Sequence, residues 1–141
     1  MLECYTSRMK LNAVGVSSSD LKKTVKFYQL LGFEFPEFKE DEDHLEPKTP
    51  EGSARLMIDS KKLMTELLGG QEPKPGNHSA FAIEYDSAEE LNSVAAKVLA
   101  ADFNVVKEPW DAFWGQRYCV VEDPDGYKVD LYTRLKKGNN K

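Results

Sequence analysis

Trp110, Phe113, Trp114 and Tyr118 crowd into one short stretch of the chain. Large aromatics at that density offer flat surfaces for stacking a planar or cationic molecule, at about 0.5–2 kcal/mol per contact. Glu84 and Asp130, with Tyr132 on the same face of its segment as Asp130, would bring negative charge and a hydroxyl to such a site. Arg117 adds a planar fork that suits a carboxylate or phosphate, or that pairs with neighbouring acids. Only two histidines occur. His44 lies in the acidic run Asp41-Glu42-Asp43-His44 and reads as a surface residue. His78 opens a segment in which His78, Ala80, Ala82 and Glu84 alternate onto one face and Phe81, Ile83 and Tyr85 onto the other. His78 is therefore either a solvated strand-end residue or, with Glu84 and Asp130, the start of a divalent-metal ligand set.

Other chemistries find little purchase. There is no glycine-rich phosphate loop and no G-x-S-x-G elbow. Cys119 has no histidine near it in sequence to activate it, and the only other cysteine is Cys4, so the pair reads as passive thiols rather than a disulfide framework. With 19 Lys+Arg against 24 Asp+Glu, the 141-residue chain carries net charge −5. That balance disfavours nucleic acid, whose binders present clustered positive charge. No stretch has signal-peptide or membrane-span character, which leads us to expect a cytoplasmic location without membrane partners.

The elements that would position these residues repeat. Ala13 to Val16 reads as a strand, Ser17 to Asp20 as helix caps, and Leu21, Val25, Phe27, Tyr28 and Leu31 as a helix face stopped by Gly32. Phe33-Glu34-Phe35 then returns to period two. The second half repeats the pattern: a strand over 78–85, caps at Asp86 and Ser87, a helix face of Leu91, Val94, Ala95, Val98 and Leu99, and a strand from Phe103 to Val106. Ser17 superposes on Ser87, Asp20 on Glu90, Leu21 on Leu91 and Phe33 on Phe103. Further strands are expected near His44–Lys48, Arg55–Asp59, Arg117–Glu122 and Tyr127–Thr133, the last two joined by the turn Asp123-Pro124-Asp125-Gly126. Trp110 to Gly115 is expected on a loop. One domain over 1–141 results: a module over 9–60, a linker with a short helix over 61–77, a second module over 78–134 and a frayed tail over 135–141.

Val14-Gly15-Val16 to Asp20-Leu21, Phe27-Tyr28 and Leu30-Leu31-Gly32-Phe33, then Glu108-Pro109-Trp110, Trp114-Gly115-Gln116-Arg117-Tyr118 and Asp123-Pro124-Asp125-Gly126 before Val129-Asp130-Leu131, resemble the vicinal oxygen chelate superfamily. That superfamily holds glyoxalase, bleomycin-resistance and extradiol-dioxygenase proteins. The resemblance implies an α+β fold of two tandem βαβββ modules whose mixed sheet curves around a cup, usually in a dimer. It also implies a metal bound by a His on the first strand of each module and a Glu after the DPDG turn. Here those positions hold Ala13, Ala80 (Ile83 in the helix register) and Asp130, so a metal site of that pattern is not expected.

The resulting expectation is a small-molecule-binding protein of the glyoxalase/bleomycin-resistance type, a homodimer needing no metal or other cofactor. Its planar or cationic ligand would meet Trp110, Trp114, Arg117, Tyr118, Glu84, Asp130 and Tyr132. The alternative is a metal-dependent lyase, isomerase or dioxygenase using His78, Glu84 and Asp130. On the strand Tyr127–Thr133, Lys128 and Asp130 could also simply pair with each other.

Overall fold

The computed structural model describes residues 8–136; Cys4 and the tail from 137 onward lie outside them. Seven strands and three helices follow in the order β1 (Ala13–Ser18), α1 (Leu21–Leu31), β2 (His44–Leu45), β3 (Arg55–Ser60), α2 (Lys61–Leu67), β4 (Ser79–Glu84), α3 (Ala88–Ala100), β5 (Asn104–Asp111), β6 (Gln116–Glu122) and β7 (Lys128–Arg134). They form a three-stranded sheet ordered β1-β3-β2 and a four-stranded sheet ordered β4-β7-β6-β5. In each sheet the first strand of the module runs parallel to its last, β1 beside β3 and β4 beside β7, while the other pairs are antiparallel. The two sheets meet where β1 approaches β4. This is the expected α+β repeat.

Local chemistry explains the helices. Asp20 caps α1 by accepting from the Lys23 backbone N–H, and Ser87 caps α3 by accepting from that of Glu90, each satisfying a donor that the first helical turn leaves unpaired. At the other end Gly32 turns left-handed at φ 115°, and Asp102, seventy positions later, does the same at φ 66°. The hydrogen bonds behind each turn correspond too: Phe33 donates to the Tyr28 carbonyl and Phe103 to that of Val98, both at 3.1 Å. The repeat is therefore preserved in how the two helices end.

Two segments depart from the sequence expectation. Phe33 to Phe35 forms no strand, only a single bridge between Glu34 and Lys48, because Pro36 and Pro47 both lie on one side of that bridge and neither has an N–H to extend the ladder there. Conversely, β5 runs on to Asp111, so Trp110 sits on a strand and the loop shrinks to Ala112–Gly115. Register shifts between Val105 and Trp110 let Pro109 be carried in this edge strand.

The core lies between the helices and one face of the sheets. Phe27, Tyr28, Leu56, Ile58, Leu91, Val98, Cys119, Val121, Val129 and Leu131 are all buried in it. Phe27 meets Phe103 edge-on at 5.2 Å, so the first module's helix packs directly on the second module. Tyr28 donates its hydroxyl to Asp123 Oδ2 at 2.8 Å, and the Ser19 hydroxyl donates to Asp125 Oδ1 at 2.6 Å. The Phe27-Tyr28 pair and the Asp123-Pro124-Asp125-Gly126 turn are thus two halves of one joint that locks the modules together.

Candidate functional site

With one face of the four-stranded sheet given to the core, alternation turns Ala80, Ala82, Glu84, Asp130, Tyr132 and Tyr118 to the other. The pairing then decides which of them are neighbours. Glu84 lies opposite Tyr132, Tyr132 opposite Tyr118, and Tyr118 opposite Trp110. A single row consequently crosses all four strands, from a carboxylate through two tyrosines to a tryptophan. Tyr132 and Tyr118 stack at 6.1 Å with planes 20° apart, and Trp110 and Trp114 meet Tyr118 edge-on at 6.0 and 5.5 Å. Phe113 continues the cluster at 5.0 Å from Trp114. It is 97% exposed and Trp114 48%. Lys107 Nζ lies 4.7 Å from the centre of the Trp110 ring, a cation–π contact made within the chain.

Asp130 sits beside this row and is held from two sides. Tyr118 donates its hydroxyl to Asp130 Oδ2 at 2.5 Å, and the Ser79 hydroxyl donates to Oδ1. Ser79 reaches it because β4 bulges: Ser79 pairs with Lys128 and Phe81 with Val129, placing two steps of one strand against one of its partner. Alternation counted back from Phe81 would have turned Ser79 to the core, so the period-two pattern hides this contact. Burial, then the bond to Asp130, pushes the Tyr118 hydroxyl up to about 12, so it keeps its proton throughout the physiological range. Tyr132 offers its hydroxyl to Glu84 Oε1 at 3.5 Å, and Arg134 Nε lies 3.3 Å from Glu84 Oε2. Lys128 faces Glu122 at 3.7 Å, not Asp130, because these two are direct cross-strand partners.

The structure brings Trp110, Trp114, Tyr118, Glu84, Asp130 and Tyr132 together, and it leaves Arg117 apart. Arg117 shares the opposite face with Cys119, where its Nε donates to Asn92 Oδ1 of α3 at 2.9 Å and its guanidinium pairs with Asp111 at 2.8 Å. Neighbours on one strand point to opposite faces, so Arg117 and Tyr118 could not both face the row. Cys119 lies beneath it, fully buried, with its thiol pushed up to about 11 by burial. That thiol is no nucleophile at neutral pH.

The metal ligand set considered from the sequence is not assembled. Among the described residues, no group of three His, Cys, Asp or Glu side chains is placed to hold an ion. His78 is exposed before β4, with its Nδ1 3.1 Å from the Ser79 carbonyl, apart from Glu84 and Asp130. Ala13 and Ala80 contribute no ligating atom, and the two oxygens of Asp130 already receive hydroxyl donors. These residues do not fit the superfamily's metal.

A second polar cluster escaped the sequence reading. On the open face of the first sheet His44 bridges Asp59 Oδ1 at 2.6 Å and Glu46 Oε2 at 2.8 Å, Glu46 accepts from Arg55 at 2.7 Å, and Arg55 donates to Asn12 Oδ1 at 2.8 Å. Donating its ring N–H groups to Asp59 and Glu46 raises the His44 imidazole above its ordinary range. Period two was the available signal: His44 with Glu46, and Arg55 with Asp59, share a parity on neighbouring strands.

Two βα-repeat sheets packed on a shared core, each with an open face, define an α+β scaffold of paired modules. The sequence profile of the Glyoxalase/Bleomycin resistance protein/Dioxygenase superfamily matches residues 10–131, and the chain belongs to that superfamily. No curated protein matches it significantly in sequence. Among solved structures it is similar to a hypothetical protein from S. aureus, with TM-score 0.73 and 20% identity over 91% of this chain and 95% of that one. A glyoxalase-related enzyme from Fulvimarina pelagi gives TM-score 0.76 and 16% identity over 89% and 88%. A protein named lactoylglutathione lyase from Agrobacterium tumefaciens gives 0.64 and 16% over 90% and 95%. At these identities the likeness shows the fold alone. No helix among the described residues is long and apolar enough to cross a membrane.

Proposed function

We propose that this chain is a small-molecule-binding protein of the glyoxalase/bleomycin-resistance type that stacks a planar ligand along its open aromatic row. The observation that carries the reading is the row itself: Glu84, Tyr132, Tyr118 and Trp110 in register across four strands, extended by Trp114 and the exposed Phe113. Large aromatics left on a surface are costly unless something covers them. Charge adds to planarity here: Arg134 pairs with Glu84, but Lys128 faces Glu122 and Lys107 lies over Trp110, so among the described residues Asp130 has no cationic partner. No step requires a metal at Ala13, Ala80 and Asp130. The proposal includes a homodimer, as the resemblance to the superfamily implies, testable by sedimentation velocity.

Calorimetric titration with acridine orange, a planar cation, tests the binding site. Trp114→Ala is expected to weaken binding about tenfold, the size of one good aromatic contact. Arg117→Ala, on the far side of the sheet, is expected to change it less than about twofold. Binding that survives replacement of both tryptophans, or that depends on Arg117, overturns the assignment.

A further inference from the structure

Three hydroxyls on the open face of the four-stranded sheet are committed as donors to carboxylates. Ser79 and Tyr118 both give their hydrogen to Asp130, and Tyr132 turns its own toward Glu84. A hydroxyl has one hydrogen and two lone pairs, so each of these oxygens has spent its donor and presents only lone pairs outward. The carboxylates of Asp130 and Glu84 are acceptors by nature. Tyr118 keeps its proton at neutral pH, so this arrangement does not invert. Lys128 is held by Glu122 and Lys107 lies over Trp110, while Arg134 sits at the outer end of the row on Glu84, so the stretch free of cationic donors among the described residues is Ser79, Tyr118 and Asp130.

Resting on the stacking site proposed above, we infer that the row selects planar rings whose edges carry N–H donors. The ligand class is amino- or amidine-substituted heteroaromatics rather than rings edged with carbonyls or carboxylates. Aromatic faces supply stacking that any flat ring can use, and the acceptor patch formed by Ser79 Oγ, Tyr118 Oη and Asp130 supplies the discrimination. A ring edged with acceptors would set its own lone pairs against the remaining lone pairs of these part-buried oxygens and take away the water that bonds them, a loss that rejects ligands more strongly than a missing apolar contact does. Asp130 acts as a positioning residue: it fixes which way two hydroxyls point.

Proflavine and acridine orange separate the two contributions. Both are planar acridinium cations, but proflavine carries two free amino groups where acridine orange carries dimethylamino groups. Equilibrium dialysis against wild-type protein is expected to show proflavine bound about tenfold more tightly. Asp130→Asn keeps the size and the row but offers an amide donor to one hydroxyl, which then turns its hydrogen outward. The preference should fall to within about twofold. The lost negative charge weakens both cations alike and cancels in the ratio. Equal binding of the two dyes to wild type overturns the inference while leaving the stacking site standing. A preference that persists in Asp130→Asn reflects methyl bulk and also overturns it. Failure of both dyes to bind overturns the stacking site itself and the inference with it. The wild-type ratio needs no variant, so a misfolded Asp130→Asn would not protect the inference.

Discussion

Asp123 is almost wholly buried, and burial pushes its carboxyl up to about 6 although two backbone N–H groups and the Tyr28 hydroxyl favour the charged form. A carboxyl raised on folding stabilises the protein fully below its unfolded value near 4, and that contribution is lost as pH climbs through 6. Asp123→Asn keeps an acceptor for the two N–H groups and cannot ionise. Its melting temperature relative to wild type should therefore rise from pH 4 to pH 7, by an amount corresponding to at most about 3 kcal/mol. Tyr28→Phe strands Asp123 Oδ2 and should cost about 1–3 kcal/mol in urea unfolding at neutral pH. His44 runs in the same sense with opposite chemistry: its raised imidazole contributes below about 6.5 and loses that contribution as pH rises. His44→Asn should accordingly be more destabilising at pH 5.5 than at pH 8.5, read as a shift in urea midpoint. At this scale the sequence showed which residue types gather but not which way they face. Six of the seven ligand candidates do assemble, whereas Arg117 fails by parity alone and Ser79, the acid's second partner, was hidden by a bulge.

Helix ends were legible because their causes are local. Asp20, Ser87 and Gly32 each act within four residues, a span over which backbone geometry leaves few choices. The matched left-handed residues make a paired test. A Cβ on Gly32 would meet nothing within 4 Å, so Gly32→Ala isolates the backbone cost and should destabilise by about 1 kcal/mol. Asp102→Gly relieves the same conformation in α3 and should stabilise by a few tenths of that, both measured by denaturant midpoint. Strand limits were less legible. Phe33 to Phe35 has strand composition but its ladder is stopped on one side by two prolines, while β5 continues through Pro109 because its partner β6 supplies ladder bonds on one side. Both outcomes depend on a neighbouring strand, and alternation within a single segment does not report its neighbour.

The modules are a repeat in sequence but one body in energy. Tyr28 with Asp123, Ser19 with Asp125, and Phe27 with Phe103 all cross between them, and the buried core is continuous from Val16 to Leu131. Differential scanning calorimetry should show a single transition with calorimetric and van't Hoff enthalpies in agreement; two resolved peaks would mean the joint is too weak to couple the halves. The repeat itself was visible in the sequence as matched positions seventy apart, yet the joint was not, because its partners lie about a hundred residues from one another. One further property follows from the placement of the aromatics. The chain has two tryptophans, and both stand in the open-face cluster within 6.0 Å of each other and of Tyr118. Excited at the red edge of its absorption, the protein emits from that patch alone, with the core tyrosines Tyr28 and Tyr85 dark at those wavelengths. Its native fluorescence is thus an intrinsic, label-free gauge of whether the row is covered, and a quenched or blue-shifted spectrum from an otherwise intact fold would be the optical signature of an occupant.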